Sequence, residues 1–273
     1  MKIEDLSEII YEKEENGICT ITFNTPKRRN ALSYVSFLEL WTAIDDMEKD
    51  ETAKVLIMTG CRKANAFSSG GYFNMKYITS VSPEIMKEID LMDIAQKKLC
   101  MKLWNFNKPV IAAINGLAVG IGITMPLVGA DLIYMSEDAW LGFYFVKRAV
   151  IPEFSTSFVL PFLVGFHKAK EIIFFGDKIT ASEAERLGLV NKVLPPDELM
   201  LYTREQALRL IPPKGPSLSL SRMKKVMHEY FKEILSKTLD LENEALRASI
   251  ETSDFRAATK SLITKKDPEF KGK

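Results

Sequence analysis

The sequence predicts an α/β fold, with a layered core over residues 1–200 and a helical portion over residues 201–273. Three observations carry this expectation. Short apolar runs rich in strand formers recur between segments of helical period, the pattern of a parallel sheet with crossover connections. After Pro161 the strand-like runs give way to helical ones. The stretch Ile211-Pro212-Pro213-Lys214-Gly215-Pro216 then precedes a long amphipathic region over residues 223–250. At about 150 residues per domain, the 273 residues make one large domain or two small ones, with ample apolar surface to bury.

The elements follow in order. Residues 18–23 (ICTITF) form a strand that ends at the turn-forming Asn24-Thr25-Pro26. Ser33 is placed to cap a helix in which Phe37, Leu40, Trp41, Ile44 and Met47 recur at near-helical spacing. Residues 54–60 (KVLIMTG) read as a buried strand stopped by glycine, residues 109–114 (PVIAAI) as another and residues 132–135 (LIYM) as a third. Residues 109–130 carry no charge and are long enough to cross a bilayer. Pro109, Asn115, Gly116, Gly120, Gly122, Pro126 and Gly129 punctuate them, which favours a buried strand, turn and helix, so no membrane span is expected. Residues 169–175 and 181–187 are helices ending at Gly176 and Gly188.

Composition excludes several classes. Hydrophobic residues at 47% and charged residues at 27% are ordinary for a globular chain and rule out a wholly disordered or collagen-like one. The 37 basic and 36 acidic residues give a net charge of +1, so bulk electrostatics make no case for nucleic acid. Cys19, Cys61 and Cys100 are widely spaced and odd in number, and His167 and His228 form no cluster. No metal centre is expected from them, and a reducing compartment is. The opening Met1-Lys2-Ile3-Glu4-Asp5 places charges where a secretory signal needs apolar residues, so the expected location is cytoplasmic.

Two glycine-rich turns are the candidates for chemistry. In Ala66-Phe67-Ser68-Ser69-Gly70-Gly71-Tyr72-Phe73 the paired glycines permit close approach of a ligand to backbone amides, which suit an oxyanion. In residues 115–124 (NGLAVGIGIT) a turn leads into small residues. If a helix starts there, the unpaired amides near Ile121 are ready donors to developing negative charge. Taken singly, each segment is explained as simply by an ordinary turn or by close packing. Neither has the glycine spacing of a nucleotide-binding loop.

Taken together, these segments resemble the crotonase, or enoyl-CoA hydratase/isomerase, family. The residues that carry the resemblance are Arg29-Asn30-Ala31-Leu32-Ser33, the 66–73 turn, residues 108–116 (KPVIAAING), residues 179–184 (ITASEA), residues 188–193 (GLVNKV) and the closing residues 265–272 (KKDPEFKG). The resemblance spans residues 9–272. It implies a crotonase-like spiral of ββα units with a helical C-terminal trimerisation region, assembled as a homotrimer or a dimer of trimers. It implies an acyl-CoA thioester as substrate, coenzyme A entering as part of that substrate with no separate cofactor and no metal. It assigns the two oxyanion-hole amides to Gly71 and Ile121. Ala64, Ala66 and Phe67 would lie near the adenine. Lys27 and Arg28 would contact phosphate, with a solvated surface role an equal reading for both. Tyr72 stands where relatives often carry an acidic residue.

The proton-handling residues separate the reaction classes. Thr124 and Phe145 occupy the two positions that hold glutamates in similar hydratases, and neither replaces a carboxylate. Residues 151–155 (IPEFS) instead resemble the peroxisomal type of delta-3,delta-2-enoyl-CoA isomerase, in which the Pro-Glu pair supplies a single base. That assigns the base to Glu153, although the ending Lys271-Gly272-Lys273 is not a Ser-Lys-Leu address. The alternatives are an atypical enoyl-CoA hydratase or acyl-CoA hydrolase, and a noncatalytic acyl-CoA-binding or assembly protein. RNA binding is a weaker reading, because the C-terminal lysines are sparse enough for an ordinary solvated face. Phe143, Tyr144, Phe145, Phe154 and Phe158 suit either an acyl pocket or the core.

Overall fold

Three long strands of the central sheet, β3, β5 and β7, each hand the chain to a short strand of a second sheet before a helix returns it, and this repeat sets the architecture. A computed structural model describes residues 1–79 and 81–273, with the side chains of Met75 and Lys76 outside that description. The long strands are β1 (Ile9–Lys13), β2 (Ile18–Phe23), β3 (Val55–Gly60), β5 (Val110–Ile114), β7 (Leu132–Ser136) and β10 (Lys192–Leu194), in the order β1-β2-β3-β5-β7-β10. β1 and β2 pair antiparallel and the rest parallel. The short strands β4 (Ala66–Ser68), β6 (Leu117–Val119), β8 (Trp140–Gly142) and β9 (Lys178–Thr180) line up as β4-β6-β8-β9. The units β3-β4, β5-β6 and β7-β8, each followed by helix, make the crotonase-like spiral of ββα units that the resemblance implied.

The helices are α1 (Tyr34–Lys49), α2 (Met75–Ile78), α3 (Pro83–Glu88), α4 (Lys97–Asn105), α5 (Ile121–Gly129), α6 (Thr156–Val164), α7 (Phe166–Phe175), α8 (Ala181–Arg186), α9 (Leu199–Leu210), α10 (Ser217–Glu229), α11 (Lys232–Ile250) and α12 (Ser253–Thr264). Ser33 caps α1 as expected, its Oγ accepting from the amides of Val35 and Ser36 at 3.1 and 3.3 Å. Phe37, Leu40, Ile44 and Met47 are buried. Trp41 differs: it is partly exposed, with the Lys102 ammonium 4.9 Å from its ring. The uncharged stretch holds β5, β6 and α5, one strand more than the sequence indicated, and the 223–250 region is two helices broken at Tyr230 and Phe231.

All residues of β3 and β5 are buried, as both faces of a parallel sheet require. Side chains alternate between two cores. Leu56, Met58 and Ala112 enter the main one, whereas Val55, Ile57, Ile111 and Ala113 meet Leu199, Ala207 and Ile211 on the other face. The helix α9 runs across the expected boundary at residue 200 and packs on β3, β5 and β7. Among the described residues no helix is long and apolar enough to cross a membrane.

One ion pair, buried at its lysine end, docks α10 on the sheet. The Lys224 ammonium lies 2.7 Å from Asp131 Oδ2 and donates to the Lys108 carbonyl at 3.1 Å. A turn later, His228 stacks on Trp104 with ring centroids 4.1 Å apart, and the Trp104 indole N–H donates to the His228 carbonyl. Burial alone pulls the Lys224 ammonium below its usual range, and Asp131 opposes that. Asp131→Asn should therefore strand a charge at low exposure. Breaking a fully buried pair costs roughly 3–5 kcal/mol. Because Asp131 is 25% exposed, about 2–3 kcal/mol is expected after solvent screening. Urea denaturation checks this, and a midpoint equal to the parent's contradicts it.

Candidate active site

The two glycine turns meet. An isolated parallel bridge joins Leu32 to Gly71, in which the Leu32 amide donates to the Gly70 carbonyl at 2.8 Å and the Tyr72 amide to the Leu32 carbonyl at 2.7 Å. In that pattern the N–H of Gly71 points away from Leu32. Gly70, at φ +104°, leaves no room for a side chain, since a Cβ there would sit 3.0 Å from the Val119 carbonyl oxygen. Gly120 adopts φ 52° and ψ −128°, a conformation that only glycine takes without strain. It turns the chain from β6 into α5. The amides of Ile123 and Thr124 fold back on the Gly120 carbonyl at 2.9 and 3.0 Å. The Ile121 amide, first in the helix, is one of the donors that a helix N-terminus leaves unpaired, and the helix dipole adds positive potential there. Neither Gly71 nor Ile121 donates its N–H to an acceptor among the described residues.

One helical turn beyond Ile121, roughly 4.5 Å along the axis, stands Thr124. It is fully buried, and its hydroxyl donates to Glu153 Oε1 at 2.9 Å. Glu153 lies deep in the protein yet keeps accessible surface, the combination found at the floor of a cleft. Burial pushes its carboxyl up to about 8; the Thr124 hydroxyl opposes the rise and the charge on Glu242 adds to it. A carboxyl with that proton affinity is poised to take and return a proton near neutral pH. The Ile121 amide and one such carboxyl are thus tied to the two ends of a single turn of α5.

The turn that carries Glu153 is held from several sides. Phe154 and Ser155 both have left-handed backbone, at φ 61° and 59°, where non-glycine residues are strained. The Phe154 amide donates to the Ala95 carbonyl at 3.2 Å and the Ser155 hydroxyl to the Leu235 carbonyl at 3.3 Å. The amides of Ser155 and Ser157 donate to the two oxygens of Glu242 at 2.7 and 3.0 Å. Glu242 is 2% exposed, and burial pushes its carboxyl up to about 7 against those donors.

The other residues singled out in the sequence go elsewhere. Phe67 packs edge-on against Phe23 in the main core, with centroids 5.2 Å apart, and Ala64 and Ala66 are buried beside Leu117. The Ala66 carbonyl accepts from the Asn30 side chain. Arg28 is turned inward: its guanidinium pairs with Glu8, donates to the Ala31 carbonyl at 2.9 Å, and lies over the rings of Tyr72 and Tyr77. Lys27 is exposed. Of the five aromatics weighed for an acyl pocket, Phe143, Phe145 and Phe154 are core residues. Tyr144 packs beside Trp140 and under Lys147, and Phe158 joins Phe162 and Phe231. Among the described residues no group of three or more His, Cys, Asp or Glu is arranged to hold a metal ion.

Glu242 escaped the sequence reading, although a signal was there. The buried positions of α11 include Leu235, Leu239, Glu242 and Leu246, so the carboxylate falls in register with the apolar stripe of an amphipathic helix. An acid at that register needs a partner inside the protein.

The chain has relatives among known proteins. A family model described as enoyl-CoA hydratase/isomerase matches residues 13–273. The chain is 31% identical over 265 residues to a short-chain-enoyl-CoA hydratase of Clostridium acetobutylicum, covering 97% of this chain and 98% of that one. It is 30% identical over 263 residues to enoyl-CoA delta isomerase 2 of Rattus norvegicus, covering 95% of this chain and 64% of the rat protein. The crystal structure of an enoyl-CoA hydratase/isomerase from Pseudoalteromonas atlantica T6c superposes with a TM-score of 0.84 at 22% identity, over 97% of this chain and 100% of that one. At that identity the likeness is one of fold.

Proposed function

The chain belongs to the enoyl-CoA hydratase/isomerase family, and on that premise we propose that it is an enoyl-CoA isomerase that moves the double bond of a 3-enoyl-CoA to the 2-position. The observation that carries this reading is the bond between Thr124 and Glu153. The position that resembles a hydratase glutamate holds Thr124, whose hydroxyl orients one carboxylate instead of supplying a second. The other such position, Phe145, is buried in the core. In the proposed cycle the amides of Gly71 and Ile121 hold the thioester oxygen. Glu153 removes a proton from C2, and the electron pair spreads over a dienolate. The same carboxyl returns the proton to C4, so the double bond settles at C2–C3 and the enzyme ends as it began. Hydration is the second reading, favoured by the name of the clostridial relative. It needs another proton-handling group, and Glu242 is a poor one because both its oxygens already accept backbone amides.

Incubation with a 3-enoyl-CoA, followed by mass spectrometry and NMR, tests the reading. A product of unchanged mass with its double bond at C2–C3 is expected; a product heavier by one water, or free acid, replaces the reaction. The base must be ionised, and burial places the Glu153 carboxyl at about 8. The value of kcat/KM should therefore climb roughly tenfold per pH unit on the acid side and level off above about pH 8. A flat profile from pH 6 to 9 contradicts Glu153 as the base.

We also propose that the protein works in the cytoplasm as a homotrimer or a dimer of trimers. Its three cysteines are free thiols, as a reducing compartment requires. The single chain exposes 14,160 Å², above the roughly 12,000 Å² expected for a compact monomer of its mass. Phe162, Phe166, Phe174, Val226, Met227 and Tyr230 are large apolar side chains more than 60% exposed, an excess that association would cover. Light scattering should return three or six times the chain mass, and a monomer overturns this.

A further inference from the structure

We propose that Glu242, on the C-terminal helix α11, is a positioning residue that fixes the turn carrying Glu153 by accepting the backbone amides of Ser155 and Ser157. This inference rests on the isomerase reading for its rate measurements, but not for its spectroscopic one.

The geometry leaves Glu242 little other role. It reaches from α11 across to the start of α6, and each carboxylate oxygen takes one amide, at 2.7 and 3.0 Å. Those amides belong to residues two and four positions beyond Glu153. Between them the backbone makes two successive left-handed steps, at Phe154 and Ser155. Such a turn does not persist by local preference and has to be imposed by its surroundings. The Ala95 and Leu235 carbonyls hold it from the sides, and Glu242 supplies the anion that faces the amino end of α6, where the helix dipole is positive. A carboxylate serves better here than an amide side chain, because it alone offers two acceptors and no donor. The charge also reaches Glu153, whose proton affinity it raises. The buried thiol of Cys100 on α4 shares the field of Glu242 and also that of Asp93, just before α4. Asp93 is engaged by the Asn243 side chain and the amides of Lys97 and Lys98. One helix outside the spiral thus helps fix the place of the base, and its charge adds to the rise in proton affinity that burial causes.

Glu242→Gln keeps the size and one acceptor while removing the charge. In the folded variant, kcat for 3-enoyl-CoA should fall 10- to 100-fold with KM within threefold of the parent's. The midpoint of Glu153, followed by NMR of a 13C-labelled carboxyl, should move down, and the acid limb of kcat/KM should move with it. Parent-like kcat together with an unmoved Glu153 midpoint overturns the proposal, even if the melting temperature drops. If Glu242→Gln does not fold, Glu242→Asp decides. It keeps the charge but withdraws it by one methylene, so a lower kcat with KM and pH limb near the parent's supports positioning, and an unchanged kcat overturns it. A parent protein that turns over no 3-enoyl-CoA defeats the isomerase reading alone, since the Glu153 midpoint still reports on Glu242.

Discussion

Glu153→Gln should lower kcat for 3-enoyl-CoA isomerisation by about 10³- to 10⁴-fold, the upper part of the range for removing a general base. Affinity for the thioester should stay within a few-fold. Glutamine has the same shape, and its carbonyl oxygen still accepts the Thr124 hydroxyl, so the 2.9 Å contact and the turn survive. What disappears is the group able to carry a proton from C2 to C4. Exchange of the C2 proton with deuterated water, catalysed by the parent, should vanish with the same substitution.

The same variant has a stability signature that tests its folding independently. The carboxyl of Glu153 lies at about 8 in the folded protein against 4.5 when exposed. The folded state therefore binds the proton more tightly than the unfolded one, and the contribution to stability is complete below about pH 4.5. It is lost as pH rises, and the loss is complete above about pH 8. Glutamine, neutral throughout, does not suffer that loss. Glu153→Gln should thus melt higher than the parent at pH 9 by more than at pH 5. A parent-like kcat, or a stability gain that does not grow with pH, contradicts the assignment of Glu153 as a buried base.

Much of the fold was legible because its long strands are buried on both faces and its first helix is capped by a local motif. Residues 55–58 and 109–114 are continuous apolar runs, and two-sided burial is what such runs encode. Ser33 announces α1 through hydrogen bonds to residues two and three positions away. The second sheet was hidden because β4, β6, β8 and β9 have three residues each, too few to show an alternation. The break at Tyr230 and Phe231 was hidden for another reason: both sides of it share one helical period.

The site divides along the same line. Gly71, Ile121 and Glu153 could be singled out as candidates because each sits in a short motif, and the folded chain joins Glu153 to α5 through Thr124. The roles of Arg28 and Phe67 could not be read locally. Their partners, Glu8 and Phe23, lie 20 and 44 residues away, and only the folded chain decides whether a basic or aromatic side chain faces inward. Glu242 is the extreme case, meeting Ser155 from 87 positions along the chain.

Gly122→Ala gives the second large effect, and helix propensity alone predicts the wrong sign for it. Within a helix, alanine is favoured over glycine by about 0.8–1.0 kcal/mol, and Gly122 is the second residue of α5. A Cβ at this position, however, would lie 2.5 Å from the Ser68 carbonyl oxygen and 2.9 Å from the Ser68 Cβ. The oxygen is backbone, so one turn must move away from the other. The segments so separated carry the two amides proposed to hold the thioester oxygen, those of Gly71 and Ile121, and a shift of about 1 Å in such donors costs roughly 10²-fold in rate. A fall in kcat of about 10²- to 10³-fold is expected, with stability lower by about 1–3 kcal/mol from overpacking. Gly188→Ala supplies the contrast. Its φ of +74° disfavours a side chain, but a Cβ there meets nothing within 4 Å, so it should cost about 1–2 kcal/mol of stability and leave kcat unchanged. Comparing the two by urea denaturation and steady-state kinetics separates strain in the chain from displacement of the amides. If Gly122→Ala loses stability but keeps its kcat, the contact between the turns serves the fold and the anion is held elsewhere.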